Sequence, residues 1–162
     1  MAIAASAAGA SFSNCRRWRY LLWRRWDAAR PVANFLMLNP STADEFQLDP
    51  SCTRARLYAE RWGYGALIVT NLFAWRATDP RDMKAAKEPV GRANDRAIVR
   101  AAREAGIVVC AWGNHGAHRE RSVSVLSMLR DAGIKLHALQ VTGAGEPGHP
   151  LYLRATLNPR KI

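Results

Sequence analysis

The hydrophobic positions of this chain fall into short runs that stop abruptly in small polar turns. The sharpest boundary lies at residues 35–42, where Phe35, Leu36, Met37 and Leu38 give way to Asn39, Pro40, Ser41 and Thr42. Such a run predicts a buried strand that delivers side chains and backbone N–H groups to its C-terminal edge. Residues 66–73 repeat the form, with Thr70 and Asn71 as the polar end. A third run covers 107–112 and closes in Gly113-Asn114-His115-Gly116, and a fourth, shorter one covers 134–139.

Helical patterns separate the runs. Ser51 or Thr53 is placed to cap a helix carrying Leu57, Tyr58 and Trp62 and stopped at Gly63. Asn94 and its polar neighbours open a second helix, with Ala97, Ile98, Ala101, Ala102 and Ala105 inward and Gly106 at its end. The third spans 122–132, with a Val125, Met128, Leu129 and Ala132 stripe ended by Gly133. Ahead of these, residues 16–26 alternate large apolar and basic side chains, the pattern of a half-exposed edge strand, and a turn follows at 27–31. Residues 74–91 lack a period and predict a long loop, while 151–154 begin a last turn or short helix. Alternating runs and helices predict an α/β fold of βαβ units, with a mostly parallel four-stranded central sheet, an N-terminal edge strand and helices on both faces.

The length of 162 residues suits one domain with its own core, expected over 15–162, with 1–14 as a flexible tail. Cys15, Cys52 and Cys110 are odd in number and lack C-x-x-C spacing, so they read as reduced thiols of a cytoplasmic protein; no metal or cofactor is expected. No window supplies the roughly 18 apolar residues of a membrane span. The sequence does not specify an oligomeric state. Charge changes the picture most: 24 basic against 13 acidic residues give +11, which favours DNA, another nucleic acid or a nucleotide as partner. Arg17, Arg19, Arg24 and Arg25, with Arg81 and Arg154, are the candidate phosphate contacts; charge that blunts a sheet edge is the alternative for the first group.

The fingerprints of P-loop ATPases, dinucleotide enzymes, serine hydrolases and zincins are absent. What remains is polar chemistry at predicted strand ends. Asn39 is placed to orient a water or bond a heterocycle, and Asn71 offers the donor and acceptor that reading a base edge requires. His149 follows a glycine-rich approach and precedes Pro150, a stiff turn on which an imidazole can stabilise developing negative charge. Among Asp44, Glu45 and Asp49, one carboxylate can serve as general base, and Asp44 is the candidate carried forward. Ser41, Thr42, Arg76, Trp112 and Tyr152 are candidate substrate contacts. His115 and His118 read more simply as surface residues, and Asp79 and Asp95 as structural.

Several of these segments together resemble a known family. Met37-Leu38-Asn39-Pro40-Ser41-Thr42-Ala43-Asp44, Thr70-Asn71-Leu72-Phe73, Ala111-Trp112-Gly113 and Gly145-x-Pro147-x-His149-Pro150-Leu151-Tyr152 look like DUF1643, a bacterial and phage family, over nearly all of 17–154. A weaker resemblance is to the uracil-DNA glycosylase superfamily, carried by Leu38-Asn39-Pro40-Ser41, Val69-Thr70-Asn71-Leu72 and His149-Pro150-Leu151-Tyr152-Leu153-Arg154. That resemblance implies a three-layer αβα sandwich and a DNA glycosylase-like hydrolase. It would have Asn39 place a water, Asn71 bond the base, His149 steady the leaving base, and Leu151 or Tyr152 act as a wedge beside a flipped nucleotide. The expectation is a nucleobase- or DNA-binding domain that hydrolyses the N-glycosidic bond of a nonstandard base. The alternatives are a non-catalytic nucleic-acid or nucleotide binder and a small-molecule nucleoside or nucleotide enzyme.

Overall fold

Seven strands form one sheet in the computed structural model, which describes residues 2–162. The strands are β1 (Ala8–Phe12), β2 (Arg19–Arg25), β3 (Val32–Met37), β4 (Ala66–Asn71), β5 (Ile107–Cys110), β6 (Leu136–Ala138) and β7 (Arg160–Lys161). The helices are α1 (Pro50–Arg61), α2 (Pro80–Ala85), α3 (Asn94–Glu104) and α4 (Arg121–Asp131). Across the sheet the order is β1-β2-β4-β3-β5-β6-β7. The inner four strands run parallel, while β1, β2 and β7 pair antiparallel at the two sides. The mixed α/β organisation is therefore as expected, in a sheet wider than four strands and one edge.

Alternation along the inner strands splits the core between two faces. Ala33, Phe35 and Met37 pack with Leu67, Val69 and Val109 against Ala55, Tyr58 and Ala59 of α1. Leu36, Val108 and Cys110 point the other way, to Ile98 and Ala102 of α3 and Val125 and Leu129 of α4. Strands buried on both faces read as continuous apolar runs, which is why they are visible in the sequence. Phe35 anchors the first face, stacked on Trp62 at 5.8 Å and Tyr58 at 6.2 Å between ring centroids.

The N-terminal tail expected at 1–14 is corrected by the structure. Ala8–Phe12 pairs with β2, and Ile3 and Ala4 are buried under it. Small residues make this possible: a Cβ on Gly9 would lie 2.1 Å from Cζ2 of Trp23, so only glycine lets the indole lie across β1. As a result β2 is an interior strand rather than the edge, and two of its arginines are buried. The expected loop at 74–91 also contains α2, capped by Asp79, whose Oδ1 accepts the Arg81 N–H at 2.8 Å.

Helix α1 fixes the position of the functional region. Its cap is Asp49 rather than Ser51 or Thr53: Oδ1 accepts the Cys52 N–H at 2.9 Å, and Pro50 fills the first helical position. Along its body, Arg54 donates to the Leu153 carbonyl, the Tyr58 hydroxyl to Arg154, and Arg61 and Trp62 to Leu157. Helix α1 leads from β3 to β4 on one side, and α3 leads from β4 back past β3 to β5. The carboxyl ends of β3 and β5 are thus where the connections diverge, the place where open parallel sheets leave a crevice.

Candidate functional site

A cavity of about 540 Å³ occupies that crevice. Leu38 and Asn39 enter from the end of β3, Trp112 to His115 from the end of β5, and Asp49 and Ser51 from the start of α1. Ala77 and Thr78 close one side, and His149, Leu151 and Tyr152 another.

Asn39 donates through Nδ2 to the carbonyls of Pro40 at 3.1 Å and Ala77 at 2.8 Å, which leaves Oδ1 as its acceptor. These bonds, with the Ser41 and Thr78 hydroxyls 3.1 Å apart, tie the turn after β3 to the segment before α2. The carboxylate in the lining is Asp49, which is buried and also accepts the Ala43 N–H at 3.4 Å. Asp44, the carboxylate expected from the sequence, lies outside the lining. Its Oδ1 instead closes a turn on the N–H groups of Phe46 and Gln47, at 2.8 and 2.9 Å, and these bonds hold its carboxyl below the usual range.

His149 is half-buried, and its Nδ1 accepts the Leu151 N–H at 3.3 Å. That bond puts the proton of the neutral ring on Nε2. Burial pushes its pKa below the ordinary histidine value, and the Asp49 carboxylate acts in the opposite direction. Tyr152 packs beside the imidazole, with centroids 5.5 Å apart, and is itself 85% exposed at the rim.

Trp112 contributes a buried wall. Its indole N–H donates to Oε2 of Glu146 at 2.7 Å, and the Ser122 hydroxyl donates to Oε1 at 2.9 Å. Gly116 is obligatory beneath it, since a Cβ there would come 2.1 Å from Cδ1 of the indole. Gly113, at φ 76°, donates its N–H to the Pro147 carbonyl at 2.7 Å, so the loops after β5 and before His149 are held together.

Of the three strand-end residues expected to converge, Asn39 and His149 do and Asn71 does not. Asn71 is level with Met37 in the β3–β4 register, two residues below Asn39, and β3 stands between it and the crevice. Its Oδ1 accepts from Nη2 of Arg19 at 3.2 Å in the buried interior. The arginines expected on the surface divide similarly. Arg19 and Arg24 are buried, with their guanidinium groups on the carbonyls of Ala43 and Asp44 at 3.0 and 2.6 Å, and burial lowers the pKa of both. Interior β2 has no solvent-facing edge from which they could reach phosphate. Arg25 is tied to the Ala5 carbonyl, Arg81 to the Asp79 carboxylate, and Arg154 is exposed beyond the lining. Thr42, Arg17 and Arg76 lie in a second groove that borders the cavity.

Among the described residues no group of three or more His, Cys, Asp or Glu side chains is arranged to hold a metal ion, and no helix is long and apolar enough to cross a membrane. A family model described as "Protein of unknown function (DUF1643)" matches residues 19–151, a span that includes every cavity residue above except Tyr152. No curated protein and no solved structure matches the chain.

Proposed function

The chain belongs to the DUF1643 family, and from that premise, which supplies no activity, we propose that it binds a nucleobase in the β3–β5 cavity and hydrolyses its N-glycosidic bond. The observation that carries the reading is the meeting of Asn39, Asp49 and His149 in one cavity of about 540 Å³. That volume falls within the roughly 300–1,000 Å³ of small-molecule sites and suits a base with its sugar.

The three side chains have complementary chemistry. Water attacks the anomeric carbon, held by the Asn39 Oδ1 and the Asp49 carboxylate as acceptors. The C–N bond breaks with its electron pair going to the base, and the water's proton ends on the base nitrogen. Nε2–H of a neutral His149 donates to the developing anion, a contribution of about 3 kcal/mol for one well-placed donor. Asn71, enclosed with Arg19, has no part in base reading; Ser51 and Asn114 are polar side chains of the lining left for that task.

The test is base release, followed by chromatography, from nucleosides, nucleotides and single- and double-stranded DNA carrying uracil, mismatched thymine or hypermodified bases. Release that falls about 100-fold or more in His149→Ala supports the reading. Absence of release across the panel, with no ligand raising the melting temperature, removes it. One observation favours a second reading, a binding module without turnover: both Asp49 oxygens already accept backbone N–H groups. In that case ligands bind, no base is released, and His149→Ala weakens binding alone.

A further inference from the structure

The groove beside the cavity has a composition that the base-binding reading does not use. It measures about 580 Å³ and is lined by Arg16, Arg17 and Arg76 together with the hydroxyl side chains of Ser41, Thr42 and Thr78. Ser41, Ala77 and Thr78 belong to both linings, so a ligand filling the cavity reaches the groove across one shared wall.

Two of the cations are seated on one aromatic ring of the fold. The Phe12 ring carries the Arg16 guanidinium at 3.8 Å and the Arg76 guanidinium at 4.9 Å, and Nη1 of Arg76 donates to the Arg16 carbonyl at 3.1 Å. Arg16 holds this position at φ 61°, an unfavourable backbone angle for a residue with a side chain. Three guanidinium groups face two carboxylates, which leaves positive charge in excess: Glu45 pairs with Arg16 at 3.1 Å, and Asp44, bonded to backbone N–H groups, acts on Arg16 and Arg76 without an ion pair to either. Among the described residues neither Arg17 nor Arg76 has a carboxylate at ion-pair distance, and Nε of Arg76 is buried without a hydrogen-bond partner. Guanidinium forks and hydroxyls around a concave surface are the donor set that phosphoryl oxygens require.

We infer that the Arg16–Arg17–Arg76 groove is a phosphate subsite for the ligand whose ring occupies the cavity, so that the ligand is a nucleotide, free or within a strand, and not a bare base or nucleoside. The inference rests on the base-binding reading for the ring and on the groove alone for the phosphate. It also assigns a place to part of the +11 charge after Arg19 and Arg24 are withdrawn to the interior.

Calorimetry on the full chain separates the two. The probes are inorganic phosphate against chloride at equal ionic strength, the common nucleosides, their 5′- and 3′-monophosphates, and a short single-stranded oligonucleotide. Monophosphates should bind about tenfold or more tightly than their nucleosides, the worth of one charge-assisted contact. That gain should disappear in Arg17→Ala, an exposed side chain that makes no hydrogen bond or ion pair among the described residues and only approaches the Trp75 ring at 5.7 Å, and shrink in Arg76→Lys, which keeps charge without the fork. A gain seen with mononucleotides identifies the free nucleotide as source; one seen only with the oligonucleotide identifies a strand, and both support the subsite. Nucleosides that bind as well as both their monophosphates and the oligonucleotide overturn the subsite and leave the cavity reading standing. If no nucleoside or nucleotide binds, phosphate binding lost in Arg17→Ala keeps the subsite while the cavity reading falls, and indifference to phosphate overturns the subsite as well.

Discussion

Replacing Asp49 separates its two roles. Asp49→Ala removes both the α1 cap, which accepts the Cys52 N–H at 2.9 Å, and the negative charge facing His149. Asp49→Asn keeps the capping acceptor and removes the charge, together with the longer bond from the Ala43 N–H. The loss of a buried cap to alanine is worth about 1–2 kcal/mol, which in a chain of this length lowers Tm by about 2–8 °C. The asparagine variant should lose less. On His149 the two should act alike: the carboxylate favours the imidazolium, so its removal drives the already depressed titration midpoint further down. Denaturant unfolding measures the first effect, and NMR titration of the imidazole Cε1–H measures the second. A midpoint unchanged in both variants would refute the pairing of the two side chains, and an alanine variant as stable as the parent would refute the cap.

Folding stability should decline as pH falls through the ordinary histidine value of 6.5, because the unfolded chain then takes up a proton that the folded His149 resists; His149→Gln should flatten that slope in urea titrations. Trp112→Phe takes a donor from the Glu146 carboxylate and should cost about 1.5–3 kcal/mol, read by denaturant midpoint. Gly116→Ala, which sets a methyl 2.1 Å from the same indole, should cost about 1–3 kcal/mol, and a variant of parental stability would contradict the packing described. Deleting residues 1–12 uncovers the edge of β2 and the core under Ile3; loss of at least about 2 kcal/mol and concentration-dependent aggregation by light scattering are expected.

The inner strands were legible because burial on both faces writes them as unbroken apolar runs, as at residues 35–38 and 66–69. Strand β1 leaves no such trace. Ala-Gly-Ala-Ser carries no alternation, and its pairing is dictated by β2 and by the space Trp23 needs over Gly9. The buried arginines follow from long-range contacts: charge predicts solvent, and it is the segment after β3, with the Ala43 and Asp44 carbonyls, that receives Arg19 and Arg24. Asn39 and His149 were readable from turn chemistry, since Pro40 and Pro150 stiffen the residues before them. Asn71 was placed correctly at a strand end, but which strand ends share a crevice depends on sheet order, which no local pattern encodes. Asp49 did carry a signal, an aspartate before a proline at a helix start, and it was Asp44 that the carboxylate-rich loop made more conspicuous.

The strap of donors along α1 couples parts of the chain that are 95 to 99 positions apart in number. Asp49 begins the helix, while Arg54, Tyr58, Arg61 and Trp62 grip the stretch that follows His149. The carboxylate and the imidazole therefore ride on one rigid unit, their spacing set during folding and not by the arrival of a guest. Little ordering entropy remains to be surrendered at that wall, so discrimination there is by shape against a fixed template.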